Sequence, residues 1–161
     1  MKMTEKRACC FTGHRVLPKD KENILQEKLE AMIETLIEKG VTMFNCGGAR
    51  GFDTVAALTV IKLRRKHEHI RLHLEIPCLN QTKGWSDEDI HKYNFVMQNS
   101  DTMKTKLAGY ETGCMHERNR ALVDGSDLCI AFLTKNSGGT FYTVNYAKEK
   151  KLEIINLAEL I

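Results

Sequence analysis

A strand passes into a helix through a glycine-rich turn in the stretch Met43-Phe44-Asn45-Cys46-Gly47-Gly48-Ala49-Arg50-Gly51-Phe52-Asp53. Residues 41–46 predict a buried strand, and residues 52–66 predict a helix with Asp53 in its first turn, where a carboxylate is favoured. The start of a helix presents unpaired backbone N–H groups and the positive end of its dipole to an anion. Glycine lets a phosphate approach that backbone closely. The stretch therefore predicts a site for a phosphate-bearing ligand.

Two further glycine turns occur where a hydrophobic strand gives way to a helix. Thr12-Gly13-His14-Arg15 ends a strand predicted at residues 7–12, and Ser137-Gly138-Gly139-Thr140 follows a strand predicted at residues 127–133. One such turn is weak evidence, but three in a chain of 161 residues indicate a pocket for a nucleotide-like ligand.

Strand and helix patterns alternate along the whole chain. Further strands are predicted at residues 70–76, 101–106 and 152–156, and further helices at 20–39, 86–99, 115–123 and 139–150, with a loop at 108–113. Gly40 is a natural stop for the first helix, and Ser86 can cap the third. The pattern predicts one α/β domain over residues 1–161, with about six mostly parallel strands and helices on both faces. Ligands of such sheets bind at the carboxyl ends of the strands, near the topological switch point.

Composition is that of an ordinary soluble protein, with 42% hydrophobic and 28% charged residues. The sequence contains no apolar run long enough for a membrane span, and its charged start does not resemble a signal peptide. We therefore expect a cytoplasmic protein with no membrane partner. The net charge of +3 does not by itself indicate nucleic-acid binding. The basic group Lys62, Arg64, Arg65 and Lys66 is interpreted as a solvated helix end, with a site for a phosphate backbone as the less favoured alternative.

Cysteines and histidines do not predict a metal site. Cys9, Cys10, Cys46 and Cys129 fall in predicted strands, where cysteine behaves as a small buried hydrophobe, and the chain lacks a C-x-x-C motif. His67, His69 and His73 lack a cysteine or carboxylate at a familiar ligand spacing. We expect neither a metal nor a cofactor.

Each glycine turn has a functional and a structural interpretation. In the Gly47–Gly51 turn, Arg50 can donate two parallel hydrogen bonds to a phosphate, and Asp53 can accept a hydrogen bond from a ribose hydroxyl or cap its helix. The turn departs from G-x-G-x-x-G, so tight geometry alone is the alternative. Ser137 to Thr140 can cradle phosphate or form an ordinary capped loop.

The remaining candidates also have a functional and a structural interpretation. His14 and Arg15 can hold an anion, and His14 can act as acid or base, or the two form a surface turn. Arg118 enters the pocket or forms a surface ion pair. Trp85 and Tyr93 can stack on a base, although a core or lid role is more common for such residues.

The ordered set of motifs resembles the YpsA-like proteins. The segments that carry the resemblance are Cys10–Arg15, Gly47–Asp53, Arg118-Asn119 with Val123–Asp127, and Ser137–Thr140 with Tyr142–Val144 and Tyr146-Ala147. YpsA-like proteins belong to the SLOG superfamily, with the LOG phosphoribohydrolases and the DNA-processing protein A family. The resemblance covers nearly the whole chain. It implies a Rossmann-like fold and a pocket for nucleotides or nucleotide-derived ligands.

The chain lacks the paired glutamates that the enzymes of that superfamily carry. Those enzymes cleave the N-glycosidic bond of a nucleoside monophosphate and carry a P-G-G-x-G-T-x-E-E turn. Thr143 and Val144 fall where the paired glutamates are expected, and Asn119 replaces a lysine. Glycosidic cleavage builds positive charge on the ribose, which a nearby carboxylate stabilises. Asp53, Glu75 and Glu117 are the candidate substitutes.

These observations favour binding over turnover, and no catalytic residue is assigned. The predicted function is binding of a nucleotide or a nucleotide-derived small molecule, in order to sense, carry or sequester it. A phosphoribohydrolase and a single-stranded nucleic-acid binder are the alternatives, and the resemblance suggests a homodimer. The predicted ligand-binding residues are Gly13, His14, Arg15, Gly47, Gly48, Ala49, Arg50, Gly51, Asp53, Arg118, Asn119, Ser137, Gly138, Gly139 and Thr140.

Overall fold

Strands and helices alternate in the order that the hydrophobic pattern predicts. The computed structural model describes residues 7–105 and 109–161. The strands are β1 (Arg7–Gly13), β2 (Val41–Cys46), β3 (Arg71–Ile76), β4 (Thr102–Thr105), β5 (Leu128–Phe132) and β6 (Glu153–Asn156). The helices are α1 (Glu22–Glu38), α2 (Phe52–Arg64), α3 (Asp87–Asn99), α4 (Cys114–Asp124) and α5 (Gly139–Glu149), with 3₁₀ turns at Lys19–Lys21 and Leu157–Glu159.

Element boundaries differ from the predictions by a few residues at most. Helix α1 begins late because Lys19–Lys21 form a separate 3₁₀ turn after Pro18, and Gly40 follows its end at a φ of 103°. The side chain of Ser86 caps α3 by accepting a hydrogen bond from the N–H of Asp89 at 3.1 Å. Residue 106 of the fourth predicted strand and residue 108 of the following predicted loop lie outside the described residues.

All six strands are parallel and lie in the order β4-β3-β2-β1-β5-β6. The chain leaves β1 towards β2 on one side, and leaves β5 towards β6 on the other. The topological switch point therefore lies between β1 and β5, whose register runs from Cys9 beside Leu128 to Gly13 beside Phe132. This is the α/β, Rossmann-like architecture that the sequence predicts.

Helices cover both faces of the sheet. Buried residues of α1, α2 and α3, such as Leu29, Ala56 and Val96, pack with Phe11 in one core. Residues of α4 and α5, such as Leu122 and Val144, pack with Cys10 in a second core. Neighbouring residues of β1 thus point into opposite layers, as the pleat of a strand requires.

The cysteines pack as small buried hydrophobes. The six cysteines are free and buried, and burial raises the pKa of the Cys9 and Cys46 thiols, which makes them unreactive. In the part of the chain that the structure describes, no group of three His, Cys, Asp or Glu side chains is arranged to hold a metal. Three members of the basic group pair with acids of neighbouring elements: Lys62 with Glu30, Arg64 with Asp101, and Lys66 with Glu34.

Membrane insertion finds no support in the helices. Within residues 7–105 and 109–161, no helix combines the length and the apolar character that a membrane span requires.

Candidate functional site

A cleft of about 470 Å³ opens at the switch point, at the carboxyl ends of β1 and β5. Residues from all three glycine turns and from α4 line it, so the topology gathers segments that are far apart in the sequence. The predicted site residues that line this cleft are Gly13, His14, Arg15, Ala49, Asp53, Arg118, Asn119, Ser137, Gly138, Gly139 and Thr140.

The first two glycine turns pack tightly against each other. The N–H of Phe52 donates to the carbonyl oxygen of His14 at 3.1 Å. A Cβ atom at Gly13 would overlap the side chain of Phe52, and one at Gly51 would overlap the backbone of His14 and Arg15. Gly51 also has a φ of 74°, which favours glycine. The protein's own packing therefore explains both glycines.

His14 ties the loop after β1 to the loop after β5. Its Nε2 accepts a hydrogen bond from the backbone N–H of Thr134 at 2.9 Å, so this nitrogen carries no proton. Burial, helped by the positive charge of Lys135, lowers the pKa of His14 and favours the neutral ring. The ring holds two walls of the cleft together, and its accepting nitrogen is already occupied.

Asp53 is a buried carboxylate in the wall of the cleft, with an exposed fraction of 6%. It accepts a hydrogen bond from the N–H of Ala49 at 3.2 Å and so closes the Gly47–Gly51 turn; the N-cap of α2 is Gly51. Burial raises the pKa of Asp53 to about 6, although the positive charge of Arg118 lowers it. Near neutral pH this carboxyl group can therefore exchange a proton.

Arg118 enters the interior, which resolves the two interpretations that its sequence position left open. Its exposed fraction is 7%, and it donates to the carbonyl oxygen of Gly47 and, through Nε, to Asn119 Oδ1 at 2.8 Å. Burial lowers the pKa of Arg118, against the attraction of Asp53. A guanidinium held in this way joins α4 to the Gly47–Gly51 turn.

The third glycine turn differs from the other two. Gly139 begins α5, and the nearest atom to a Cβ built there is the side-chain nitrogen of Asn119, at 3.8 Å. A Cβ at Gly138, whose φ is 94°, would meet no atom of the described residues within 4 Å. Positive φ accounts for Gly138, but crowding by the protein does not account for Gly139. Space above the first turn of α5 is open to the cleft.

Four predicted site residues do not line the cleft: Gly47, Gly48, Arg50 and Gly51. Gly48 lies against Ile76 and Gln81. Arg50 lies over the ring of Trp85, 5.3 Å from its centroid, and lines a second cavity of about 420 Å³ that shares Arg15 and Val16 with the cleft. Trp85 packs edge-on against Tyr93 at 5.5 Å, beside the first core.

Six residues of the cleft wall are not among the predicted site residues: Phe11, Thr12, Val16, Met115, His116 and Lys135. Lys135 lies in the same strand-to-helix connection as Ser137, so its position after β5 was the available signal. His116 and Asn119 are three residues apart on α4 and share a face of the helix. The sequence does not show that this face borders the cleft.

The family model of YpsA, described as the YspA SLOG family, matches residues 11–159. The chain belongs to this family. This chain is 33% identical to the uncharacterised prophage-derived protein YoqJ of Bacillus subtilis (strain 168) over 141 residues, or 80% of this chain and 82% of YoqJ. It is 30% identical to a UPF0398 protein of Halalkalibacterium halodurans over 130 residues, or 79% of this chain and 69% of that relative.

Solved structures with a similar fold include DNA processing protein A from two bacteria. The protein of Helicobacter pylori, whose structure concerns a single-stranded DNA binding mode, superposes with a TM-score of 0.66 at 16% identity, over 92% of this chain and 63% of that chain. The protein of Streptococcus pneumoniae gives a TM-score of 0.65 at 15% identity, over 95% and 50%. This YpsA SLOG protein therefore spans about half to two thirds of those chains, and the likeness shows a shared fold.

The positions where SLOG enzymes are expected to carry glutamates are buried in this YpsA SLOG protein. Thr143 donates its hydroxyl hydrogen bond to the carbonyl oxygen of Gly139 at 2.8 Å, and Val144 packs in the second core. Of the candidate substitutes, Asp53 lines the cleft. Glu75 and Glu117 line a separate cavity of about 30 Å³ that shares only Arg118 with the cleft.

Proposed function

We propose that this protein binds a nucleotide or a nucleotide-derived ligand in the cleft between β1 and β5, with a phosphate above the first turn of α5. The observation that carries the proposal is the open space over Gly139. Where alanine can adopt the same backbone conformation, glycine lowers stability by roughly 0.4–1 kcal/mol because it makes the unfolded chain more flexible, and here neither positive φ nor crowding by the protein requires it. Close approach of a phosphate to the backbone N–H groups supplies a reason.

Charged groups around the cleft support an anionic ligand. Arg15 and Lys135 are exposed cations in its wall, and both can approach a phosphate held at α5. The hydroxyls of Ser137 and Thr140 lie in the same turn and can add hydrogen bonds. Asp53, buried in the opposite wall, is the proposed acceptor for a ribose hydroxyl. Arg118 acts behind it by holding the Gly47–Gly51 turn.

Binding without turnover is the role we favour, because Thr143 and Val144 are buried and carry no carboxylate. Sensing, carrying or sequestering the ligand all require no more than this cleft. An N-glycosidase is the second candidate, and one observation favours it: Asp53 is a carboxylate with a pKa of about 6 in the wall of the same cleft. Such a group can stabilise positive charge on a ribose.

The test is a thermal-shift screen of the purified protein against nucleoside mono-, di- and triphosphates, NAD, ADP-ribose and cyclic nucleotides, with product analysis of every hit. A ligand at 100 times its Kd stabilises the folded state by about 2.7 kcal/mol, which is a shift of several degrees for a chain of this size. A hit recovered intact supports binding. A hit recovered as free base and sugar phosphate, with that product lost in Asp53→Asn, supports the N-glycosidase.

Single-stranded nucleic acid is tested in the same experiment with a short oligodeoxynucleotide. Binding of a long strand to a basic groove weakens steeply as salt rises, whereas binding of one mononucleotide, which contacts far fewer cations, depends on salt much less. Failure of every nucleotide to stabilise the protein, together with salt-dependent oligonucleotide binding, would replace the proposed function with this alternative. The homodimer suggested by the resemblance stays a prediction, which light scattering tests.

A further inference from the structure

One exposed aromatic ring lines the wall of the cleft. His116 is the third residue of α4, and its ring centroid lies 4.2 Å from that of Tyr142 on α5. Tyr142 itself does not line the cleft, so it supports the imidazole from outside the cleft. The other aromatic rings in the described lining are already engaged by the protein: Phe11 is fully buried and stacks on Phe44, and His14 is half-buried, packs edge-on against Phe132 and accepts the hydrogen bond from Thr134.

A row of interactions between α4 and α5 holds the supporting ring in place. Arg120 donates to the hydroxyl oxygen of Tyr142 at 2.8 Å, and Tyr146 stacks on Tyr142 with an interplanar angle of 8°. Tyr146 in turn donates its hydroxyl hydrogen bond to Asp124 at 2.8 Å. A ring packed against such a fixed neighbour loses little conformational freedom when a ligand binds.

We infer that His116 is the platform on which the base of the nucleotide stacks. The inference rests on the proposed function and assigns its base subsite, which takes a planar aromatic heterocycle. The imidazole borders the same cleft as the proposed phosphate position on α5, and α4 and α5 pack against each other. Aromatic side chains bind bases through their faces with little dependence on base identity. The site therefore accepts several bases, and Trp85 and Tyr93 have no part in it.

The experiment separates the base from the phosphate. Affinities of the four ribonucleoside 5′-monophosphates and of ribose 5-phosphate are measured by calorimetry for the wild type, His116→Ala, His116→Gln and His116→Phe. The gain in affinity that the base provides is the Kd of ribose 5-phosphate divided by the Kd of the monophosphate. We expect His116→Ala and His116→Gln to lose on the order of tenfold in this ratio, whereas His116→Phe keeps it. Ribose 5-phosphate affinity and the melting temperature should stay unchanged.

Every outcome bears on the inference. A base gain that survives in His116→Ala, or a wild type that binds the monophosphates no tighter than ribose 5-phosphate, overturns the platform and leaves the proposed function intact. A wild type that binds none of the five compounds overturns the platform for monophosphates, and the wider nucleotide screen then decides the proposed function. Tyr142→Leu provides a second measurement: loss of the supporting ring should lower the base gain, whereas Tyr142→Phe should largely preserve it.

Discussion

The guanidinium of Arg118 donates a hydrogen bond to the backbone carbonyl oxygen of Gly47, 71 residues away in the sequence. This contact joins α4 to the turn that carries Asp53. A Cβ atom at Gly47 would lie 2.6 Å from Nη1 of Arg118, so the guanidinium fills the space that glycine leaves. Position 47 therefore has a packing reason for glycine.

Gly47→Ala should destabilise the protein by roughly 1–3 kcal/mol, because the added methyl group displaces the guanidinium. Arg118→Met should cost about 3 kcal/mol, because it leaves the Gly47 carbonyl and the Asp53 carboxyl without their charged neighbour. Urea denaturation of both variants and of the double variant gives a coupling energy. Because Gly47→Ala already displaces the guanidinium, Arg118→Met should cost less stability in the Gly47→Ala background than in the wild type. Additive losses of stability would contradict the contact.

Asp53 should make the stability of the protein depend on pH. Burial raises its pKa from 3.8 to about 6 in the folded state, so between these values the folded protein binds a proton that the unfolded chain releases. This contribution to stability is present below pH 3.8 and is lost as the pH rises through about 6. Asp53→Asn should therefore gain stability relative to the wild type as the pH rises from 4 to 7, by up to roughly 3 kcal/mol.

Urea denaturation of both proteins at a series of pH values provides the measurement. The other titratable groups, His14 among them, are present in both proteins, so the difference between the two proteins isolates Asp53. Asparagine keeps an oxygen that can accept from the N–H of Ala49. A difference that stays constant from pH 4 to pH 7 would show that the pKa of Asp53 is not raised.

Gly139→Ala should separate stability from ligand binding. The space around Gly139 leaves room for a methyl group, so the variant should be about 0.4–1 kcal/mol more stable than the wild type. The same methyl group stands between a phosphate and the backbone of α5, and should lower the affinity for a nucleoside monophosphate by at least about tenfold. Thermal melting and calorimetry measure the two effects.

Gly125→Ala is the matched control for this experiment. Gly125 follows α4 at a φ of −90°, and a Cβ there would make an ordinary contact of 3.5 Å with the carbonyl oxygen of Ala121. Gly125 does not line the cleft, so its variant should keep ligand affinity. If Gly139→Ala and the wild type bind the monophosphate with equal affinity, the phosphate does not bind at the start of α5.

Two arginines near the cleft should contribute unequally to binding. Arg15 lines the cleft, whereas Arg50 lies over Trp85 and lines the neighbouring cavity. Arg15→Gln should therefore lower the affinity for a nucleoside monophosphate more than Arg50→Gln, by roughly fivefold, which corresponds to about 1 kcal/mol. Calorimetry at one fixed salt concentration measures both. A larger loss of affinity in Arg50→Gln would indicate that the phosphate binds closer to the Gly47–Gly51 turn.

The sequence by itself determined the architecture and the end of the sheet at which the cleft lies. Helical and strand periodicity are local properties, so residues 41–46 could be read as β2 with the bounds that the structure shows. Parallel strands all present their carboxyl ends at one edge, so the three glycine turns had to gather there.

Tertiary structure decided which of those turns is open. The space around Gly13, Gly47 and Gly51 is filled by Phe52, Arg118 and the backbone of Arg15, whereas Gly139 has room around it. The fold also placed Arg50 over Trp85, buried Arg118, and brought His116 to the cleft. Periodicity and turn residues specify the path of the backbone. Whether a distant side chain fills a given space depends on long-range packing, which no local pattern contains.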